Sequence, residues 1–132
     1  MTVRYSRERV QFGKAIGTFQ RVQDHVIVLA NAMDSARWAT AYALSKLDGD
    51  PTVTPREAIH VAKSATADGH TTACHAAHEV HAGIGSDVSY PLAVHTYRSR
   101  SSFAYLGDPA WHRARLAVLL GFGPGARTGR TS

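Results

Sequence analysis

Arg9-Val10-Gln11-Phe12-Gly13-Lys14-Ala15-Ile16-Gly17-Thr18-Phe19-Gln20 interrupts an otherwise helical chain, and its reading decides the fold. Two glycines four residues apart permit turns that bulkier residues resist, so the helical runs on either side are joined by a tight link. Phe12, Ile16 and Phe19 are expected to pin this link into a core, leaving Arg9, Gln11 and Lys14 at its edge. A fixed guanidinium beside an amide side chain presents a planar fork of donors to phosphate or carboxylate oxygens. An ordinary interhelical loop with solvated charges is an equal reading of the same residues.

Working outward, Arg4 to Gln11 resemble the last turns of a helix, so the chain reads as opening on a cut end. On the other side Val22, Val26, Leu29, Met33, Ala36, Thr40, Ala43 and Leu47 recur at spacings of four and three. That period places them on one face of a helix from about Phe19 to Leu47. At about 1.5 Å per residue it is roughly 40 Å long, and Asp48-Gly49-Asp50-Pro51 ends it. Thr54-Pro55-Arg56-Glu57 then carries a cap, a first-turn proline and a returning glutamate. The helix it opens has an inward stripe of small residues, Ala58, Ala62, Ala65, Gly69, Thr72, Ala76 and Val80, which lets a neighbour approach closely. Gly83 and Gly85 stop it, Gly83 as the left-handed residue past the end.

Ser89-Tyr90-Pro91 redirects the chain into a helix over about Leu92 to Tyr105, and Asp108-Pro109 opens another. Ala110, Ala114, Ala117 or Val118, and Leu120 are expected on its buried side. The fold class is therefore all-α, an antiparallel up-and-down four-helix bundle in which the two long helices form the spine. Residues 1–121 make one domain, and the Gly- and Arg-rich residues 122–132 read as a flexible tail.

Composition narrows the function classes. The formal charge is +5, but the fifteen lysines and arginines are scattered without a basic stripe or helix-turn-helix pattern, which argues against a nucleic-acid partner. No apolar run approaches the roughly 20 residues of a membrane span, and no signal-peptide core is present. Cys74 stands alone, which fits a reducing, cytoplasmic setting.

His70, Cys74, His75, His78, Glu79 and His81 lie close together on the second long helix, a spacing that could ligate a transition metal. No second half of a zinc signature accompanies them, so the expectation is no metal. His25 and His60 read as packed or exposed histidines. Gly83-Ile84-Gly85-Ser86 is a fragment of a phosphate loop, but it follows a helix where a dinucleotide fingerprint would follow a strand.

Taken in order, Arg9-x-Gln11-Phe12-Gly13-Lys14, a long helix, a capped helix ending at Ala82-Gly83-Ile84-Gly85, then Tyr90-Pro91, Tyr97-Arg98 and Tyr105-Leu106-Gly107-Asp108 resemble the C-terminal helical domain of acyl-CoA dehydrogenases. The resemblance covers residues 3 to about 121, roughly the last third of a complete family member. It implies an oxidoreductase that dehydrogenates the α,β-bond of an acyl-CoA thioester with FAD, working as a homo- or hetero-oligomer. It also implies that Arg9, Gln11, Phe12 and Gly83 contact FAD of a neighbouring subunit. Glu79 replaces a family glutamine, and its carboxylate would repel a cofactor phosphate. Leu106 stands where many members carry the catalytic glutamate, so no catalytic residue is assigned. Asp108 is a weaker candidate base whose local sequence fits a helix cap. The chain alone is expected to be inactive, and a non-catalytic assembly module that pairs with a partner chain is the alternative.

Overall fold

The structure is a computed structural model that describes residues 1–49 and 55–122. The expected stop at Asp50-Pro51, the cap at Thr54 and residues 123–132 of the tail lie outside the described residues. Helix α1 spans Thr2–Glu8, a two-stranded antiparallel hairpin pairs β1 (Val10–Gln11) with β2 (Lys14–Ala15), and a 3-10 turn covers Ile16–Thr18. The long helices α2 (Gln20–Leu47) and α3 (Pro55–His81) follow. A second 3-10 turn at Ala82–Ser86 leads to α4 (Leu92–Phe103) and α5 (Pro109–Leu119). The fold is all-α, with α2 to α5 as its four principal helices. Among the described residues no helix is long and apolar enough to cross a membrane.

The expected small-residue stripe does bring α2 and α3 together. Ala58, Gly69, Ala76 and Val80 are buried, and Gly69 passes directly over the Ala32 carbonyl. Thr72, however, is exposed, and Ala62 and Ala65 are only half-buried. A second stripe on the other side of α3 also disappears from solvent: Ser64, Ala67, Cys74, Ala77 and His81. Its partners are α1, α4 and α5, so α3 is walled on two sides and every other helix touches it. Polar links sew this side: His78 Nε2 meets Thr96 Oγ1 at 2.7 Å, and Arg113 pairs with Asp68.

Helix α2 has α3 as its main neighbour, which explains a departure from its expected inward face. Val22, Val26, Leu29, Ala36 and Ala43 do turn inward, whereas Met33, Thr40 and Leu47 stay exposed. Of these, Met33 borders a groove of ≈ 550 Å³ between α1, α2, α3 and the start of α4. Helix α5 differs more. Ala110, Ala114, Val118 and Leu120 are exposed, and the inward positions go to Pro109, His112, Leu116 and Ala117. A histidine takes the buried place because both its ring nitrogens find partners there.

The deciding link is a hairpin. Gln11 faces Lys14 and Val10 faces Ala15, leaving Phe12 and Gly13 as a two-residue loop with φ of 51° and 78°. Two positive φ values define the turn whose twist matches an antiparallel pair. Phe12 is consequently carried to the tip and is 90% exposed, not pinned into the core, while Ile16 and Phe19 are half-buried as expected. Gly17 has its own reason to lack a side chain, since a Cβ there would stand 3.0 Å from the Ser6 carbonyl oxygen.

Candidate functional site

Arg9, Gln11, Phe12 and Gly83 line one groove of ≈ 520 Å³, together with Tyr5, Phe19 and Glu79. Its walls come from two places distant in sequence. The hairpin and the end of α1 form one wall, and the last turn of α3 with the 3-10 turn that follows forms the other. Phe12 and Phe19 meet edge to face at 6.2 Å, and Lys14 Nζ lies 4.6 Å from the Phe19 ring centre. Aromatic edges and a cation thus fix the hairpin tip over the start of α2. Among the described residues the Arg9 guanidinium has no carboxylate partner, although Arg4 nearby pairs with Glu8.

The two walls are joined by His81, which the sequence offered only as a possible metal ligand. Its ring is 1% exposed and stacks on Tyr5 with centroids 4.2 Å apart. Nε2 lies 3.3 Å from Thr2 Oγ1 and Nδ1 lies 3.1 Å from the Tyr90 hydroxyl. Burial holds the imidazole below its ordinary pKa, with His78 and the N-terminal amine adding repulsion. The left-handed residue after α3 is Ala82, with φ 52°, not Gly83 as expected. A Cβ on Gly83 would meet nothing within 4 Å, so neither backbone strain nor packing within this chain requires a glycine there.

The His and Cys cluster of α3 does not assemble a metal centre. Among the described residues no group of three or more His, Cys, Asp or Glu could hold an ion. His75 is exposed, His78 bonds Thr96, and Cys74 is buried with Sγ 3.6 Å from the His95 carbonyl oxygen. Burial raises the Cys74 pKa, which keeps it a thiol.

At the other end of α3 lies the turn Tyr105-Leu106-Gly107-Asp108. Leu106 is 74% exposed and left-handed, with φ 60°. Asp108 caps α5: the Trp111 backbone N–H donates to its Oδ1 at 2.7 Å. The expected cap is therefore observed, and that oxygen is engaged with the helix end. Below the turn His112 Nε2 lies 3.1 Å from the Leu106 carbonyl oxygen, and its Nδ1 lies 2.8 Å from His60 Nδ1. Burial holds His60 below its ordinary pKa, and His112, Arg115 and Arg56 push the same way. In sequence His60 reads only as a packed or exposed histidine, and His112 is a histidine three residues after the helix-opening Pro109, with nothing local to pair them.

The result is a helical domain with a hairpin-edged groove at one end of α3 and a capped turn at the other. The chain belongs to the acyl-CoA dehydrogenase family: the model of the acyl-CoA dehydrogenase C-terminal domain matches residues 1–119. Three solved structures show the likeness in three dimensions. The Tcur3481-Tcur3483 steroid ACAD variant is 29% identical with a TM-score of 0.82, over 90% of this chain and 32% of that one. The FAD complex of PigA is 25% identical with a TM-score of 0.84, over 92% and 31%. The prolyl acyl carrier protein oxidase AnaB is 25% identical with a TM-score of 0.80, over 91% and 31%. The chain thus spans about a third of the length of the solved structures it matches. No curated protein matches it.

Proposed function

We propose that this chain serves as the C-terminal helical domain of an FAD-dependent acyl-CoA dehydrogenase-like enzyme, lending FAD contacts and an oligomer interface. The observation that carries the reading is the shared groove of Arg9, Gln11, Phe12 and Gly83. Its chemistry fits a dinucleotide cofactor. Arg9 offers a guanidinium fork to a phosphate, Gln11 offers an amide, and the Phe12 ring is exposed at the hairpin tip. The open space over Gly83 lets a ligand approach the backbone where any side chain would intrude. Glu79 on the same wall opposes a phosphate beside it, so the anionic group belongs near Arg9 and away from α3.

Bound FAD would supply hydride acceptance during oxidation of the α,β-bond of an acyl thioester. The remaining two thirds of the enzyme, with the other walls of the flavin site, come from sequence outside this chain, in homo- or hetero-oligomeric assembly. A soluble, cytoplasmic enzyme without nucleic-acid or membrane partners fits the composition. Residues 1–121 act as one domain in this reading, followed by the short tail. The solved relatives bear names as different as steroid ACAD and prolyl acyl carrier protein oxidase, so the acyl group is left open.

Leucine takes no proton and Asp108 Oδ1 is held by the Trp111 amide, which favours a second reading. In it the domain is a non-catalytic assembly module within a flavoprotein complex. One experiment separates the readings: the chain is assembled with its partner sequence as wild type and as Arg9→Ala. Loss of flavin absorbance from the variant, with assembly intact, supports the cofactor role. Equal flavin content in both would remove Arg9 from the FAD site and leave the assembly module.

A further inference from the structure

We propose that His60 and His112 form a positioning dyad for the turn 105–108, holding it while the two imidazoles share a hydrogen and releasing it when both are charged. The importance of that turn rests on the proposed function, since it is where the family resemblance places a catalytic carboxylate. The dyad itself rests on geometry alone.

Leu106 is left-handed at φ 60°, a conformation a leucine keeps only when its surroundings impose it. Two contacts hold it: the Gly107 N–H donates to the Ala104 carbonyl at 3.1 Å, and His112, 5% exposed, lies directly beneath the turn. A carbonyl oxygen only accepts, so the 3.1 Å contact to Leu106 requires a hydrogen on His112 Nε2. The 2.8 Å between the two Nδ1 atoms has room for one hydrogen. With both rings neutral, His112 Nδ1 is bare and accepts from His60 Nδ1–H. One added proton can reside on either ring without breaking either contact. A second sets N–H against N–H, and the pair must separate. Because His112 holds the Leu106 carbonyl through its other nitrogen, a movement of that ring pulls on the turn.

The charged groups on the packed elements set where this happens. Arg56, Glu57 and Lys63 flank His60 on α3, Arg113 and Arg115 flank His112 on α5, and Asp108 lies in the turn itself. Lys63 donates to the Ser102 carbonyl, Arg113 pairs with Asp68, and Asp108 caps α5, so these are engaged. Arg115 lies over the Trp111 ring at 5.2 Å, and the Trp111 ring meets His60 edge to face at 5.7 Å. Burial, then His112, Arg115 and Arg56, oppose the charging of His60, so that ring takes up its proton on the acid side of an ordinary histidine.

The test is a pH titration of the full ¹⁵N-labelled chain followed by long-range ¹H–¹⁵N spectra of the imidazoles. At neutral pH His112 should carry its hydrogen on Nε2 with a bare Nδ1, and His60 should carry its hydrogen on Nδ1. In acid both rings should shift in one coupled step, and the Leu106 and Gly107 amide signals should shift with them while those of Ala32 and Ala36 in α2 stay. In His60→Ala the coupled step should be absent, and the Leu106 and Gly107 amide signals should no longer follow it. Independent titration of the two rings, a neutral His112 protonated at Nδ1, or turn amides that ignore the step would each overturn the dyad. No flavin or partner chain is involved, so failure here and failure of the cofactor reading are separate results.

Discussion

Gly69 lies against the carbonyl of Ala32 so closely that a Cβ placed on it would stand 2.7 Å from that oxygen and 3.3 Å from the Ala36 Cβ. Neither neighbour can swing away, because one is backbone and the other is the shortest side chain. Gly69→Ala must therefore part α2 from α3 locally, with a loss of about 1–3 kcal/mol expected for an overpacked contact. Gly83→Ala meets open space and should leave folding nearly unchanged. Urea unfolding of both variants checks the pair: equal midpoints would mean that the helices are not in contact at Gly69.

His81 makes stability depend on pH in a defined direction. Burial lowers its folded pKa below the ordinary value of 6.5, so the unfolded chain binds the proton more readily. The stabilisation is present above about pH 6.5 and is lost as pH falls from there through the lowered folded value. His60 acts in the same sense. Thermal melts in a pH series should show the midpoint falling in that window, and His81→Gln should flatten the slope. A midpoint indifferent to pH between neutrality and the carboxylate range would contradict the burial of both rings.

Cys74 should be slow to alkylate. Its thiol is buried and its pKa raised, so little thiolate is available. Iodoacetamide labelling should stay slow in buffer and become fast in denaturant. Rapid labelling of the native chain would place Cys74 at the surface.

Asp108 is expected to act on stability through its cap. Asp108→Ala should cost about 1 kcal/mol, and Asp108→Asn should retain most of that, as for other N-cap residues. Both variants are compared by unfolding midpoint. An Asn variant as unstable as the Ala variant would show that charge, not the hydrogen bond to Trp111, is what matters.

Much of the fold was legible because long helices announce themselves. The stripe of α2, the small face of α3 and the Asp108-Pro109 start of α5 each follow from spacing or capping chemistry that is local in sequence. The hairpin was not legible, because two residues per strand carry no period, and Phe12-Gly13 is a rarer form of its turn signal. The second buried face of α3 was missed for a different reason. Ser64, Cys74 and His81 are not apolar markers, and their burial depends on partners far along the chain. The same holds for His112, whose two contacts rank it above the alanines of α5 for the inward place. The residues of the groove were named from resemblance, but their meeting in space depends on the hairpin and on His81.

Helix α3 carries the groove residue Glu79 near one end and His60 near the other, nineteen residues apart without a break. At about 1.5 Å of rise per residue, some 28 Å of continuous helix separates the two features. A continuous helix packed on two sides resists changes in length, so the chain acts as a gauge block. Whatever docks at the hairpin and whatever meets the Leu106 turn are held at a set separation, and an insertion or deletion inside α3 would change that distance and rotate one end about the other by about 100° per residue.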